Sequence, residues 1–422
     1  NPSAVHKFGQ DVRNELEAAR ESLAKVLSAN RSEVIFTSGG TESDNLAVKG
    51  LFWQRNSDDS QRKLIITAAT EHHGVLDPVY WLVDNQDAEL ALVPVDSSGV
   101  FDLVWLADFL ATSGEKVALI SLMWVNNETG VIADIPAITA LAKPYGIPVH
   151  SDAVAAFGHN PINFEASGLS AMSISAHKVG GPVGVGSLVV GRAVKLTSLV
   201  HGGGQERGMR SGTMDAAGAK AIALAAGLAV GELESEHERL ELLAEKLVAG
   251  VQAIAPDAVF SRGDALGLPG TAHFTFPGCS ADSMIFLLDA AGVSVSAGSA
   301  CTAGVNRPSH VLVAMGRTED EATVAVFGGV GWAAQADKPL SVPQLGVSAA
   351  PDATNRLSVN APATLLNHAG AGHQLKLNKA LASDTASLNF QTGFSGRAEM
   401  GTTGSDDFAI KVSPDGSSYF TA

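Results

Sequence analysis

The alternation of short apolar runs with helix-like segments constrains the fold of this chain more than any other feature. Runs that are typical of buried strands recur over the first half of the sequence. They are Val34–Phe36, Leu64–Ile66, Leu90–Val95, Val117–Val125, Pro148–His150, Met172–Ile174 and Ser187–Val190. Parallel strands need crossover helices, which cover both faces of the sheet. The alternation therefore predicts an α/β fold with a mostly parallel central sheet.

Two helical segments and a later α/β pattern divide this part of the chain. Apolar residues recur every three or four positions from Val5 to Leu27, and Asp215–Ile254 has a helical pattern throughout. Beyond Pro256, the pattern predicts a strand, a helix and a strand, at Ala272–Phe276, Ala281–Ala290 and Val293–Ser296. Long helices often join domains. We therefore predict a large domain over residues 16–254 and a smaller α/β domain formed by residues 1–15 and 255–335.

The composition changes after Trp332. From Pro339 onward, Gly, Ser, Asn, Asp and Thr separate short alternating runs such as Gln374–Leu377 and Phe408–Val412. This pattern is typical of hairpins or of partly disordered chain. Residues 340–422 are therefore predicted to form an appended tail that is β-rich or partly disordered.

Charge and cysteine content narrow the class of protein. The 422 residues include 28 Lys and Arg against 44 Asp and Glu, a net charge of −16, which argues against a nucleic-acid or anionic-membrane surface. Two cysteines cannot form a disulfide framework and lack metal-site spacing, so we assign no metal and expect a cytoplasmic location. The longest apolar stretch, Ala216–Gly231, is rich in Ala and Gly, contains Lys220 and is expected to fall short of a membrane span.

Lys178 and Asp152 are the first candidates for chemistry. Lys178 follows a predicted strand and precedes a glycine-rich turn, and Asp152 follows the strand before it. Lys178 alone is compatible with an ordinary solvated surface position. Both, however, are expected at the carboxyl edge of the sheet, where α/β proteins bind ligands. A lysine that forms an imine and an aspartate that pairs with a pyridinium nitrogen are the two groups that pyridoxal phosphate requires.

The segment Thr37–Ser43 is a candidate phosphate cradle. It combines a strand end, the two glycines Gly39 and Gly40, and the hydroxyl of Thr41 at the start of a helix. Backbone amides at a helix N-terminus bind anions. The same turn is equally compatible with an ordinary helix cap.

At the level of motifs, residues 1–332 resemble the cysteine desulfurases of the NifS/IscS type, which are class-V aminotransferases. The motifs that carry the resemblance are Ser38–Asn45, Glu71–His73, Val125–Glu128, Ser175–Lys178, His201–Thr213 and Gly298–Gly304. The resemblance implies a fold-type I homodimer that uses pyridoxal 5'-phosphate. The tail is similar, more weakly, to β-rich C-terminal segments of phage tail-associated proteins.

The resemblance assigns roles around the cofactor ring. Lys178 matches the imine lysine that also removes the α-proton of the substrate. Asp152 matches the pyridinium partner, His72 the imidazole stacked on the ring, and Asn127 the residue that bonds the ring hydroxyl. Without these motifs, His72 reads as a residue at a helix start.

The resemblance also assigns the phosphate contacts. Thr41, Ser175 and His177 match residues that bind the phosphate, beside the predicted cradle at Gly40. Thr213 matches a threonine that reaches the phosphate of the neighbouring subunit. Without the motifs, His177 reads as a hydrogen-bonded histidine at a strand end.

Cys301 matches the nucleophile of the family. Its neighbours between Gly298 and Gly304 are small, which is typical of a mobile loop rather than of a packed core. Cys279, which follows a Phe-Pro-Gly sequence beside a predicted strand, is interpreted as structural. The implied reaction converts L-cysteine to L-alanine and leaves a persulfide on Cys301. An acceptor protein would collect that sulfur for iron–sulfur assembly or tRNA thiolation.

Two positions depart from the family pattern. Ala155 stands where the family usually has a glutamine that bonds the ring hydroxyl. Phe327 aligns without gaps to the arginine that grips the substrate carboxylate. Both changes predict impaired turnover. Two alternatives stay open at this point: a selenocysteine lyase, and a catalytically inactive protein that serves as a binding or structural module with an adhesive tail.

Overall fold

The computed structural model describes residues 1–279, 281–296, 308–319, 321, 325–329, 345–347, 357–359, 377–392 and 395–421. The chain divides into two compact units, Asn1–Lys338 and Pro339–Ala422. The helices of the first unit are α1 (Lys7–Val26), α2 (Gly40–Asp58), α3 (His73–Gln86), α4 (Leu103–Ser113), α5 (Ile135–Ala142), α6 (Phe164–Ser167), α7 (Ala216–Ile254), α8 (Ala281–Ala290) and α9 (His310–Ala314).

The central sheet of the first unit is mostly parallel, as predicted. Its strands are β1 (Val34–Thr37), β2 (Leu64–Thr67), β3 (Glu89–Leu92), β4 (Val117–Ser121), β5 (Val149–Asp152), β6 (Ala171–Ser175) and β7 (Gly186–Val190). They lie in the order β1-β7-β6-β5-β4-β2-β3. Strand β7 pairs antiparallel with both β1 and β6, and the other pairs are parallel. The carboxyl ends of β2, β4, β5 and β6 therefore meet at one edge.

Helices cover both faces of this sheet, because alternate strand residues point to opposite sides. On one face, Leu23 of α1, Leu106 of α4 and Ile222 of α7 belong to one buried apolar cluster. On the other face, Phe52 of α2 and Leu82 of α3 belong to a second cluster. The result is a three-layer α/β/α arrangement.

Helix α7 is a single helix of 39 residues. By length and composition alone, this helix is long and apolar enough to cross a membrane. The expectation that Ala216–Gly231 falls short of a membrane span is therefore not met by this test of length and composition. One such helix is weak evidence for a membrane span, because the core helix of a folded domain passes the same test. Ala219, Ile222 and Ala226 of α7 are buried in the cluster that covers the sheet.

A second, antiparallel sheet of the first unit follows α7. It contains β8 (Val259–Phe260), β9 (Thr271–Thr275) and β10 (Ala325–Gly329), with β9 in the middle. The predicted strand Val293–Ser296 is wrong: residues 293–295 form no strand, and Ser296 makes a single bridge. Gly292 adopts φ of 79° in the turn after α8, and the amides of Gly292 and Val293 bond back to Asp289 O and Leu288 O, so Val293 still belongs to the helix end. The division into a large and a small domain stays a prediction.

The second unit is β-rich, as predicted for the tail. Its antiparallel sheet consists of β13 (Thr385–Thr392), β14 (Ser395–Thr403), β15 (Phe408–Val412) and β16 (Phe420–Thr421). A parallel pair, β11 (Leu345–Val347) with β12 (Leu357–Val359), precedes it. The predicted strand Phe408–Val412 is confirmed as β15. Of the predicted run Gln374–Leu377, only Leu377 lies within the described residues, and it is not in a strand.

Candidate active site

A cavity of about 380 Å³ opens at the carboxyl edge of the central sheet, where α7 and the loop before β9 close its sides. Most of the predicted site residues line it: Gly40, Thr41, His72, Asn127, Asp152, His177 and Lys178. Ser175 lies directly behind, because its Oγ is 2.8 Å from His177 Nδ1. Thr213 is exposed and does not line the cavity. Cys301 lies outside the described residues.

Lys178 is held in a 3₁₀ turn, Ala176–Val179, that begins where β6 ends. Its side chain is half-buried and lines the cavity. His159 Nε2 lies 2.8 Å from the Lys178 carbonyl oxygen, and His237 Nε2 of α7 contacts the carbonyl oxygen of His159. Sequence reasoning missed both histidines, since neither belongs to a recognisable motif. The two contacts connect α7 to the backbone that carries the lysine.

Asp152 is the last residue of β5 and is 6% exposed. Burial raises the pKa of its carboxyl, while a hydrogen bond from Val154 N and the charges of His72 and Lys178 act in the opposite direction. Its Oδ1 accepts that bond at 2.9 Å. A protonated pyridine nitrogen in the cavity would supply a cation to this buried carboxylate.

The predicted phosphate cradle forms where β1 leads into α2. Gly39 has φ of 154°, a conformation that favours glycine, and a Cβ on Gly40 would lie 2.7 Å from Val154 Cγ2. Only a residue without a side chain brings the first backbone amides of α2 this close to the cavity. Thr41, in the first turn of α2, lines the cavity, and Ser175 lies beside the turn, since its Oγ is 3.9 Å from a Cβ built on Gly39. The donor set suits a phosphate.

Glu42, in the first turn of α2, is committed to other contacts. Its Oε2 accepts from Ser38 N at 2.7 Å, and its Oε1 accepts from Arg210 Nε at 2.8 Å. Burial acts to raise the pKa of Glu42, but the bonds from Arg210 and Ser38 outweigh it, and the pKa is lowered. Arg210 is therefore occupied at the edge of the cradle.

His72 caps α3, with Nδ1 accepting from Gly74 N at 2.9 Å. Burial lowers the pKa of His72, opposed by the charge of Asp152. An imidazole in the cavity wall beside Asp152 suits a flat ring as its neighbour.

The side chains of Asn126 and Asn127 differ in whether they can form a hydrogen bond with a ligand in the cavity. Asn126 is saturated, because its Nδ2 donates to Thr70 O and its Oδ1 accepts from Glu128 N and Thr129 N. The Oδ1 of Asn127 is buried, lines the cavity and has no hydrogen-bond partner among the described residues. A ring hydroxyl would supply the missing donor. Together with the cradle and Asp152, this orphaned oxygen means that the residues present fit pyridoxal phosphate.

No arginine lines the cavity in the described part of the chain. Arg210 is paired with Glu42, and Arg317 Nε is buried without a hydrogen-bond partner among those same residues. Phe327 lies in β10, opposite His273 of β9. Among the described residues, no group of three or more His, Cys, Asp or Glu is arranged to hold a metal ion.

Cys279 differs from its interpretation as a structural residue. It is exposed and has a free thiol. The turn that follows β9 brings Cys279 N to 3.2 Å from Phe276 O, with Gly278 at φ of 76°. This turn places the side chain in solvent, so packing in a core is excluded for Cys279.

Comparisons with known proteins cover most of the chain. Residues 1–326 match the model of the family "Aminotransferase class-V". Phe327 is thus the first residue beyond the matched range. An IscS-like cysteine desulfurase of Mycobacterium tuberculosis is 50% identical over 317 residues, 75% of this chain and 80% of the relative. The cysteine desulfurase IscS of Dictyoglomus turgidum is 40% identical over 315 residues, 75% and 78% of the two chains.

Comparison with solved structures points to the same family as the sequence comparisons. A NifS-like protein superposes with a TM-score of 0.71 at 34% identity, covering 78% of this chain and 85% of the other.

Proposed function

The chain belongs to the aminotransferase class-V family, and from that premise we propose that it is a pyridoxal-phosphate-dependent cysteine desulfurase that converts L-cysteine to L-alanine. The observation that carries the proposal is the shared cavity. The cavity adjoins the N-terminus of α2 and is lined by Lys178, Asp152, His72 and Asn127, whose Oδ1 has no hydrogen-bond partner among the described residues.

Each of these residues has a distinct task. When bound, the cofactor supplies an electron sink for the substrate. The Lys178 amine anchors the cofactor and then holds the α-proton of L-cysteine. Asp152 keeps a proton on the ring nitrogen, and Asn127 accepts from the ring hydroxyl. His72 stacks on one face of the ring. The phosphate is bound by the α2 amides, Thr41, Ser175 and His177.

The sulfur step assigns the nucleophile role to Cys301. Its thiolate attacks the sulfur of L-cysteine, so that the S–S bond forms as the C–S bond breaks, and a proton replaces sulfur on the substrate carbon. One cysteine and one thiol thus give one alanine and one persulfide, without an added oxidant. An acceptor protein then removes the sulfur, for iron–sulfur assembly or tRNA thiolation, and we propose a cytoplasmic location.

A homodimer accounts for the position of Thr213. This residue is exposed and does not line the cavity of its own subunit. In a dimer it would contact the phosphate in the neighbouring site.

The test measures alanine and protein persulfide after purified full-length protein is given pyridoxal phosphate and L-cysteine. Cys301→Ser should retain the yellow cofactor but form no persulfide, whereas Cys279→Ser, which changes the exposed thiol, should behave like the unaltered protein. Lys178→Ala should lose the yellow lysine-linked cofactor, and Lys143→Ala, at an exposed lysine, should keep it.

Three outcomes contradict the proposal. Activity on selenocysteine but not on cysteine would indicate a selenocysteine lyase. A protein that stays colourless with added cofactor would indicate a binding or structural module. A persulfide on Cys279 would overturn the choice of nucleophile.

A further inference from the structure

A row of buried polar side chains crosses the α2-facing side of the central sheet below the cavity. Ser121, His150 and Ser173 lie on the neighbouring strands β4, β5 and β6, and each is 0% exposed. Ser121 Oγ is 2.9 Å from His150 Nδ1, and Ser173 Oγ is 3.0 Å from His150 Nε2. Their strand neighbours Ile120, Val149 and Met172 point to the opposite face. Polar groups this deep in a core are costly unless they are hydrogen-bonded, so the row itself is well satisfied.

Asp44 of α2 stands at the end of this row. It is 1% exposed, its Oδ1 is 3.8 Å from His150 Nε2, and Ser173 acts on its carboxyl as a hydrogen-bond partner. Among the described residues, Oδ1 has no hydrogen-bond partner. Burial lowers the pKa of His150 to about 3, so the ring is neutral and offers Asp44 no positive charge.

The other groups that face Asp44 are also acidic. Asp152, at the end of β5, and Glu71, just before α3, both act on Asp44 as like charges and raise its pKa beyond the larger effect of burial. Glu71 is 0% exposed, and its Oε1 accepts from Met123 N at 2.7 Å. Positive charge at this site acts on Asp152: it comes from Lys178 and from the protonated form of His72, whose own pKa is lowered by burial. The carboxyl groups of Asp44, Glu71 and Asp152 are therefore buried together, and the nearby positive charge acts on Asp152.

We propose that Asp44 is a positioning residue that stays a neutral carboxylic acid, so that the negative charge of the cluster rests on Asp152. The role of Asp152 rests on the proposed function, but the protonation of Asp44 does not. Like-charged carboxyls in a low-dielectric site do not all ionise, and the one nearest to cations keeps its charge. An ionised Asp44 would act on Asp152 as a like charge and would disfavour the charge on Asp152.

The row of hydroxyls is compatible with an acid at this position. A neutral imidazole has one N–H donor and one acceptor nitrogen. If Ser173 accepts from His150, its own proton points to Asp44. If Ser173 donates to His150, Asp44 must donate to Ser173, which only a protonated carboxyl does. A neutral acid supplies the donor that the second arrangement requires, whereas a carboxylate is compatible with the first arrangement alone.

Infrared spectroscopy of the full-length protein near neutral pH tests the protonation directly. The carbonyl band of a protonated carboxyl is separate from the bands of carboxylates. Asp44→Asn should lose the band area of one protonated carboxyl, and the matched control Asp108→Asn, at an exposed aspartate of α4, should lose none. Equal band areas in the unaltered protein and Asp44→Asn would overturn the proposal.

The pH dependence of unfolding provides a second measurement on the same variants. A carboxyl whose pKa is raised on folding stabilises the protein fully below its unfolded pKa, and that stability is lost as pH rises towards the folded pKa. Relative to Asp44→Asn, the unfolding constant of the unaltered protein should therefore rise up to about tenfold per pH unit between roughly pH 5 and 7. A difference independent of pH would refute the neutral acid.

Both measurements are made with and without added pyridoxal phosphate. A protein that stays colourless but retains the Asp44 band would refute the proposed function and leave this inference intact.

Discussion

The guanidinium of Arg20 and the carboxylate of Glu206 form a two-pronged ion pair, with both N–O distances at 2.7 Å. The side chains are 10% and 2% exposed. Arg20 Nη1 also donates to Val34 O, and Glu206 Oε2 accepts from Phe36 N. Glu206 and Arg207 adopt positive φ of 47° and 59°. The pair therefore fastens the strained segment 201–213 to α1 and β1.

Glu206→Gln should destabilise the protein strongly, because it leaves the Arg20 charge buried without its partner. We expect a loss of about 3–5 kcal/mol in the free energy of unfolding, measured with urea. Glu17 is a matched control, since it also contacts Arg20, at 3.3 Å, but is 45% exposed. Glu17→Gln should cost less than about 1 kcal/mol. Equal effects of the two changes would contradict the importance of the buried pair.

Arg210→Gln should lower the free energy of unfolding at neutral pH but not at acidic pH. Its partner Glu42 has a lowered pKa, so the pair stabilises the fold above the unfolded pKa of Glu42 and loses that effect as pH falls through the folded pKa. At neutral pH the unfolding free energy should fall by less than about 1 kcal/mol, since the pair is partly exposed. The gap should close below about pH 4. Arg192→Gln, at a 67% exposed side chain, is the control and should show a smaller gap.

Ala155→Gln should strengthen cofactor binding. Ala155 lines the same cavity as Asn127, and a glutamine there would add a hydrogen bond to the ring hydroxyl. One such bond is worth about 1 kcal/mol, or roughly fivefold in the Kd of pyridoxal phosphate. Spectroscopic titration measures it. Ala155→Met has similar length without the amide, and equal gains from Met and Gln would point to packing instead.

Phe327→Arg should increase turnover on L-cysteine. A charged fork on the substrate carboxylate is worth about 1.5–3 kcal/mol, or roughly 10- to 150-fold in kcat/KM. Because an arginine would also orient the substrate, kcat should rise and KM should fall. Phe327→Met removes the ring without adding charge and should recover neither. No change with arginine would mean that the gapless alignment at this position is mistaken.

The sequence by itself determined the architecture and predicted the main site residues. Apolar runs such as Leu64–Ile66 and Met172–Ile174 are local signals, and parallel strands place their carboxyl ends together. Asp152 and Lys178, at the ends of β5 and the turn after β6, therefore had to meet at one edge. The segment Thr37–Ser43 then predicted the glycine turn at Gly40, and the resemblance predicted Asn127 as the partner of the ring hydroxyl.

Only the tertiary structure decided which other residues support that site. Arg20 and Glu206 are 186 positions apart, and His159 reaches the Lys178 carbonyl from a loop without a motif. Likewise, Asp44 and His150 meet only because α2 packs on the β5 face of the sheet. A hydrogen bond between distant segments depends on how helices pack on strands, and it leaves no periodicity or spacing in the local sequence. Whether a carboxyl such as Asp44 keeps its proton depends on the same packing, because burial and neighbouring charges set its pKa.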